Sequence, residues 1–320
     1  MQGKMKLLVA HDGSSGADAT LDDLKRAGLP REGVATVLSV TDLWLPPMKG
    51  PIDPCVSERL VAASENARAR VAAAVEEARD ITQRFCARLQ VILPGWEVRA
   101  EACAGSPGWE IIREAEASNA DLIVVGSHGR SALSRTILGS VSQRVTNDAR
   151  CSVRVVRAPA RKRHSAAHIL IGFDGSPDAE AAVNAVAERN WPEASVVRLI
   201  TAVDLKMITT VASPNSPLRR LLKAKLHEEQ RVVLQRMIEP ALQRLRNAWI
   251  STTGLIKVGD PKHLLVSEAT SWDADCIFVG AKGLSRIERF LLGSVSAAVA
   301  ARAHCSVEVV RPQMTNRRNA

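Results

Sequence analysis

Hydrophobic residues occur along the chain in short uninterrupted runs, separated by longer segments in which they recur at helical spacing. Runs with so few polar residues are typical of strands buried on both faces of a parallel sheet. Nine such runs predict strands at 6–10, 35–40, 122–125, 152–156, 168–173, 196–203, 255–258, 276–279 and 306–310, and an alternating segment predicts another at 96–102. Because helical segments alternate with them, the pattern predicts an α/β fold with helices on both faces of the sheet.

Turn and cap residues mark the ends of these elements. Ser14 or Ser15 is expected to cap the first helix and Ser57 the long second one. Ser106 is expected to cap the third, with Pro107 in the first helical position. Pro240 falls inside the long helical segment 218–249 and is expected to kink or break it. The segments 45–54 and 204–217 are expected to form irregular loops.

One glycine pattern occurs twice, in the segments 121–157 and 275–311. In both segments a glycine is followed by two residues, a second glycine, nine residues and a Gly-Ser pair, all between a hydrophobic strand and a helix. The positions, 154 residues apart, are Gly126, Gly129, Gly139 and Ser140 in the first copy and Gly280, Gly283, Gly293 and Ser294 in the second. The repeat predicts tandem domains over 1–157 and 168–311, with a linker at 158–167 and a tail at 312–320.

Composition restricts the function further. The net charge is +9, but tyrosine is absent and aromatic residues make up 3% of the chain, so a base-stacking surface is not expected. The basic clusters at 161–164, 219–225 and 317–318 are therefore expected to be solvated rather than to bind nucleic acid. There is no apolar run long enough for a membrane span and no recognisable signal segment, so a cytoplasmic location is expected.

The six cysteines are scattered without a C-x-x-C pair, which gives no support for a zinc site. Three of them, Cys151, Cys276 and Cys305, lie in or beside apolar strands. We expect these three to be buried free thiols.

The placement of acidic, glycine and serine residues at strand ends points to a nucleotide site. Asp12 and Asp174 directly follow the first strand of each repeat, and the glycine segments follow the fourth. Ligands of parallel sheets bind at such strand ends, where the strand order reverses. Amides at a helix N-terminus favour a phosphate, and a carboxylate on the opposite wall suits a ribose hydroxyl. Alternatively, the glycines only form turns and the serines only cap helices.

With these motifs, the chain resembles a tandem universal stress protein of the ATP-binding subtype. The resemblance implies two five-stranded parallel sheets, Rossmann-like or flavodoxin-like, of order 3-2-1-4-5. It implies ATP, with or without Mg²⁺, bound by Asp12 or Asp174 at the ribose and by the backbone of Val40 or Val203 at the adenine. It implies phosphate contacts from Gly126, Gly129, Gly139, Ser140, Val141 and Ser142, and from Gly280, Gly283, Gly293, Ser294, Val295 and Ser296. It also implies pairing of the two domains through their fifth strands, and a homodimer.

The function that follows is ATP binding with a regulatory role in a stress response, exerted on an unknown protein partner. No P-loop is present, and no catalytic or metal-ligating residue is assigned, so any ATPase is expected to be slow. Two alternatives stay open. One is a slow ATPase or adenylate-transferring enzyme in which Asp12 or Asp174 holds Mg²⁺, and the other is a nucleotide-free dimerisation or chaperone-like scaffold.

The loops of the two copies differ in sequence: the first has His128 and Arg130 where the second has Lys282 and Leu284. Lys282 is either a phosphate ligand or a solvated loop residue. His128 is either a base beside the phosphates or an ordinary loop residue. His11, next to Asp12, is expected to pack locally rather than to form half of a catalytic dyad.

Overall fold

A computed structural model describes residues 4–14, 16–43, 58–128, 138–158, 166–203, 217–283 and 292–312. Ten strands and eight helices alternate in these residues. The strands are β1 (Met5–Ala10), β2 (Gly33–Thr41), β3 (Trp96–Ala104), β4 (Leu122–Gly126), β5 (Ser152–Val156), β6 (His168–Gly172), β7 (Val196–Val203), β8 (Ser251–Val258), β9 (Cys276–Gly280) and β10 (Ser306–Val310). The helices are α1 (Ala17–Arg26), α2 (Glu58–Ile92), α3 (Pro107–Ser118), α4 (Ser140–Asp148), α5 (Pro177–Ala187), α6 (Pro217–Asn247), α7 (Pro261–Ser271) and α8 (Ser294–Arg302).

All ten strands form one sheet, in the order β3-β2-β1-β4-β5-β10-β9-β6-β7-β8. Within each half all neighbouring strands are parallel, and the order 3-2-1-4-5 agrees with the expectation. The halves join where β5 and β10 pair antiparallel, so the expected pairing of fifth strands is confirmed within the chain. The two five-stranded sheets are thus continuous.

Alternate residues of the central strands enter separate cores on opposite faces of the sheet. In the first half, Leu7 and Val9 of β1 pack with residues of α1 and α2, whereas Leu8 packs with residues of α3 and α4. The second half has the same two layers. Because both faces are covered, the strands need apolar residues at successive positions, which explains the uninterrupted runs in the sequence.

Two arginines extend the contact between the halves beyond the paired strands. Arg157, at the end of β5, donates to the carbonyls of Ala300 and Ala301 near the end of α8, at 2.6 and 3.1 Å. Arg311, at the end of β10, donates to the Thr146 carbonyl near the end of α4 at 2.6 Å. The carbonyl end of a helix carries a partial negative charge, so each arginine binds where the other half is most negative.

Two expectations about helices are corrected. Of the kink or break expected at Pro240, the break does not occur, because helix α6 continues through this residue. The buried residues Ile238 and Ala241, on either side of the proline, attach this part of the helix to the core and offset the missing hydrogen bond. Helix α1 has Gly16 as its N-cap, without a side-chain cap, in place of the expected serine.

Several predicted features lie outside the described residues. These are Ser15, Ser57, Gly129, the loops 45–54 and 204–216, most of the linker and tail, and the basic clusters at 161–164 and 317–318. The backbone of α6 at 219–225 is described, but its side chains are not. No helix in the described ranges has the length and apolar content that crossing a membrane requires.

Candidate functional site

The candidate site of each half lies at the carboxyl end of the sheet, where the strand order reverses. In the first half, β1 lies between β2 and β4, and the chain leaves β1 and β4 toward opposite faces of the sheet. In the second half, β6 lies between β7 and β9 in the same way. A crevice between the diverging connections is the usual ligand site of open parallel sheets.

The acidic residue after the first strand is held by its own turn. The Asp12 carboxylate accepts the Ser14 amide at 3.0 Å, and the Asp174 carboxylate accepts the Ser176 amide at the same distance. The glycine that follows each aspartate has φ near +75°, a conformation that side chains rarely adopt. These turns hold both carboxylates at the carboxyl end of the first strand of each half.

Helix α4 begins at the opposite wall with unsatisfied amides. Gly139 is its N-cap, and the Gly139 amide donates to the Ser127 carbonyl at 2.8 Å, which fixes the start of the helix against the end of β4. The amides of Ser140, Val141 and Ser142 donate to no described residue. Free amides at a helix N-terminus, together with the helix dipole, favour an anion.

Helix α8 repeats this arrangement in the second half. The Gly293 amide donates to the Ala281 carbonyl at 2.8 Å, and the amides of Ser294, Val295 and Ser296 donate to no described residue. The candidate phosphate residues of helix α8 are therefore brought together just as those of α4 are.

The serines at the third helical position have a structural partner. The Ser142 hydroxyl donates to the Gly126 carbonyl at 2.5 Å, and the Ser296 hydroxyl donates to the Gly280 carbonyl at 2.5 Å. These bonds tie the start of each helix to the end of β4 or β9. The two hydroxyl protons expected to face a phosphate are thus used within the protein, whereas Ser140 and Ser294 are exposed.

The end of β2 offers free backbone groups at Val40. The His11 amide donates to the Leu38 carbonyl at 2.9 Å, and the Gly105 amide donates to the Thr41 carbonyl at 3.0 Å. Alternate residues of a strand face the same neighbour, so Val40 faces the side on which β1 has already ended. This backbone is suitably placed for the edge of a base.

The register of the second half differs from the expectation by one residue. The Gly259 amide donates to the Val203 carbonyl at 3.0 Å, so Val203 occupies the position of Thr41. Ala202 therefore occupies the position of Val40. The hydrophobic run of β7 contains no mark of this register, because both residues are small and apolar.

The first residues of the loops after β4 and β9 make different contacts in the two halves. His128 contacts the neighbouring Ser127 hydroxyl through Nδ1 at 2.8 Å, and its Nε2 is buried without a hydrogen-bond partner. In the second half, the Lys282 amide donates to the Asp178 carboxylate at 3.0 Å. The Ser176 hydroxyl donates to the Lys282 carbonyl at 3.2 Å.

Asp178 and Ser176 were absent from the sequence-based site. Their significance appears only when the turns after β1 and β6 are aligned on Asp12 and Asp174, which places Asp178 opposite Gly16. Burial raises the pKa of the Asp178 carboxyl, and the amide bond and charge of Lys282 act in the opposite direction. The expectation that His11 packs locally agrees with its ring, which stacks on Phe85 with the centroids 4.5 Å apart.

Two further expectations concern the burial of the cysteines and the binding of a metal ion. Cys276 and Cys305 are buried free thiols as expected, whereas Cys151 is a free thiol that is only partly buried. Among the described residues, no group of three or more histidines, cysteines or carboxylates could hold a metal ion.

Comparison with known proteins places the chain in a family. The model of the universal stress protein family matches residues 5–157 and again residues 166–311. A universal stress protein of Mycolicibacterium smegmatis is 27% identical over 309 residues, which cover 96% of this chain and 97% of that protein. Universal stress protein Rv2005c of Mycobacterium tuberculosis is 33% identical over 201 residues, 61% of this chain and 64% of that protein.

Solved structures agree with the fold. A universal stress protein from Archaeoglobus fulgidus superposes with a TM-score of 0.55 at 20% identity, covering 96% of both chains. A putative universal stress protein from Pseudomonas aeruginosa superposes with a TM-score of 0.56 at 16% identity, covering 98% of this chain and 95% of that one. Since the family model matches both halves, the chain belongs to the universal stress protein family.

Proposed function

We propose that the protein is a regulatory stress protein that binds ATP, as the free nucleotide or its Mg²⁺ complex, in the crevice of the first half. The observation that supports this most is the row of free amides at Ser140, Val141 and Ser142 facing a crevice whose other wall carries Asp12. Bound nucleotide would join the two walls and change the surface that the protein presents to a partner.

The phosphate end of the proposed site lies at helix α4. Three orphan amides and the positive end of the helix dipole stabilise an anion without requiring a lysine. The bond from the Ser142 hydroxyl to the Gly126 carbonyl keeps the helix start in place, so the amides are ordered before ligand binds. Gly129, proposed as the second phosphate-contacting glycine, belongs to the part of the loop that is not described.

The nucleoside end lies between the ends of β1 and β2. Asp12 keeps one carboxylate oxygen on the Ser14 amide, and the other can accept a ribose hydroxyl. The backbone of Val40, on the side where β1 has ended, supports a contact with the adenine edge. A negative wall at the ribose and a positive wall at the phosphates orient the nucleotide in one direction.

Titration calorimetry of the full chain with ATP tests the proposal. Asp12→Asn keeps an oxygen for the Ser14 amide but loses the charge, and should weaken binding roughly 10- to 100-fold, the range for a hydrogen bond to a charged group. Ser140→Asp places a carboxylate in the first helical turn, where it favours the helix but repels phosphate, and should also weaken binding. Asp22→Asn, on the exposed face of α1, is the matched control.

Absence of any heat or saturable binding at millimolar ATP would refute the nucleotide site and favour the nucleotide-free scaffold. Binding that is equal in wild type, Asp12→Asn and Ser140→Asp would place the ligand elsewhere on the protein.

A further inference from the structure

We propose that the native chain binds one nucleotide, in its first half, because Asp178 occupies in the second half the anion position that a phosphate would take. The proposal rests on the nucleotide site proposed above and concerns which of its two copies is open. It makes Asp178 and its counterpart Gly16 the residues that determine how many nucleotides the chain accepts.

The first observation is an internal anion on the loop after β9. Asp178 accepts the Lys282 amide through Oδ2 at 3.0 Å, and Lys282 lies between Gly280 and Gly283 of the glycine pattern. Ser176 donates its hydroxyl to the carbonyl of the same lysine at 3.2 Å. The amide and the carbonyl of Lys282 are therefore both hydrogen-bonded to residues at the start of α5.

The second observation is that backbone, and not only side chains, forms this contact. A β-carbon on Gly280 would lie 2.6 Å from the carbonyl carbon of Asp178 and 2.7 Å from the Ala179 amide nitrogen. The first turn of α5 thus lies directly against the end of β9. Ser176 also caps the helix by accepting the Ala179 amide at 3.2 Å, so this turn is fixed from both sides.

The third observation concerns Asp174, the proposed ribose ligand of the second half. A β-carbon on Gly283 would lie 2.8 Å from the Asp174 Oδ2. The Asp174 carboxylate therefore lies against the loop after β9. In an open crevice, this loop and the carboxylate would stand on opposite walls. The negative charges of Asp174 and Asp178 also act on each other, and this repulsion raises the pKa of Asp178 in addition to the effect of burial.

The described residues of the first half lack the first two of these features, and Gly129, the counterpart of Gly283, lies outside them. Gly16 stands where the second half has Asp178, and it has no side chain to reach the loop after β4. Helix α1 begins at Ala17, the counterpart of Ala179, and so starts two residues later than α5 does. The His128 amide, counterpart of the Lys282 amide, donates to no described residue.

Among the described residues, the space beside Gly126 is also wider than the space beside its counterpart Gly280. The nearest described atom to a β-carbon at Gly126 is the His128 carbonyl oxygen, at 3.4 Å. At Gly280 the corresponding distance, to the backbone of α5, is 2.6 Å. No described residue of the first half occupies the His128 amide, whereas in the second half a phosphate would have to displace a carboxylate of like charge from the Lys282 amide.

A reciprocal pair of substitutions tests the proposal in the full chain. Gly16→Asp supplies the first half with the carboxylate of the second, and Asp is a favoured residue at a helix N-cap, so folding should persist. Asp178→Gly removes the internal anion. ATP per chain is counted by native mass spectrometry and calorimetry, and the unfolding temperature of each variant confirms that it is folded.

The expected count is one ATP per chain for wild type and two for Asp178→Gly. For Gly16→Asp, we expect the affinity for ATP to fall about tenfold or more. Asp178→Asn keeps an acceptor for the Lys282 amide without the charge. The affinity of its second half for ATP should therefore lie between those of wild type and Asp178→Gly. Two ATP per wild-type chain, or no change in count for Asp178→Gly, would overturn this inference and leave the proposed function intact. No ATP bound by wild type or any variant would overturn both.

Discussion

Arg154 and Glu308 lie directly opposite each other where the two halves of the sheet meet. They are paired in the antiparallel register of β5 and β10, with Arg154 Nη1 3.1 Å from Glu308 Oε2 and both side chains almost fully buried. They also occupy the same position in the two repeats, 154 residues apart. The pseudo-twofold axis therefore relates a positive side chain to a negative one.

Two further charges complete this buried cluster. Asp23 of α1 accepts from Arg154 Nε at 2.6 Å, and Arg189, just after α5, contacts Glu308 at 2.5 Å. Negative and positive groups thus alternate across the junction, from one half to the other. Pairing of two identical halves through this strand would place two arginines or two glutamates in contact, which disfavours it against the pairing seen within the chain.

We expect Arg154→Met to destabilise the protein by roughly 3–5 kcal/mol, because it removes the buried cation that Asp23 and Glu308 share and leaves Glu308 with Arg189. Chemical denaturation followed by circular dichroism measures the change. Arg99→Met is the control, since Arg99 pairs with Glu97 at the surface, where both side chains are more than half exposed. That change should cost less than about 1 kcal/mol. Equal effects of the two substitutions would show that the junction charges contribute little.

Glu268 should make stability depend on pH in the acidic range. Burial raises the pKa of this carboxyl, but hydrogen bonds from Lys257 and Arg198 and their charges outweigh it, so the pKa lies below its ordinary value of 4.5. The stabilisation is complete above that value and is lost as the pH falls through the lower pKa of the folded state. Glu268→Gln should therefore be less stable than wild type at neutral pH, by about 1–3 kcal/mol.

That difference should shrink as the pH falls below 4.5, which denaturation curves recorded across the acidic range will show. Glu97→Gln, at an exposed pair, should differ little from wild type at any pH. A Glu268→Gln deficit that stays constant from neutral to acidic pH would mean that lost packing, not lost charge, is its cause.

Two thiols should react slowly. Burial raises the pKa of Cys86 to about 11, and burial also raises the pKa of Cys151 to about 11 despite the nearby positive charge of Arg311. Because the thiolate is the nucleophile, iodoacetamide should modify both much more slowly than free cysteine at neutral pH, with rates that rise as the pH approaches 11. Peptide mapping by mass spectrometry measures each site, and rates equal to that of free cysteine would contradict the burial described.

We expect Pro240→Ala to stabilise the protein by about 1–3 kcal/mol. Pro240 lies inside α6 and is exposed, so the substitution restores a helical amide and loses no buried contact. Thermal and chemical denaturation measure the gain. A loss of stability would indicate that the helix depends on a proline-induced geometry to pack Ile238 and Ala241 against the core.

The sequence predicts the sheet well because its information is local and repeated. Uninterrupted apolar runs locate the strands, and the paired glycine patterns locate both candidate sites. Of the kink or break expected at Pro240, the break does not occur, because burial of Ile238 and Ala241 offsets the local cost of proline. The hydrogen bonds make Ala202 rather than Val203 the counterpart of Val40, as the alignment of Asp12 with Asp174 also does.

The difference between the two crevices was harder to predict. Gly16 is the N-cap of α1, whereas Asp178 is the second residue of α5, and the role of Asp178 depends on the contact between α5 and the end of β9. The contrast of Arg154 with Glu308 is visible when the repeats are aligned. Its consequence depends on the antiparallel pairing of β5 with β10, which places the two residues opposite each other.

Equilibrium dialysis of the full chain against radiolabelled ATP tests the nucleotide site most directly. The expected result is saturable binding that approaches one ATP per chain, is weakened by Ser140→Asp and is unchanged by Asp22→Asn. Absence of saturable binding at millimolar ATP, in protein shown to be folded, would contradict it.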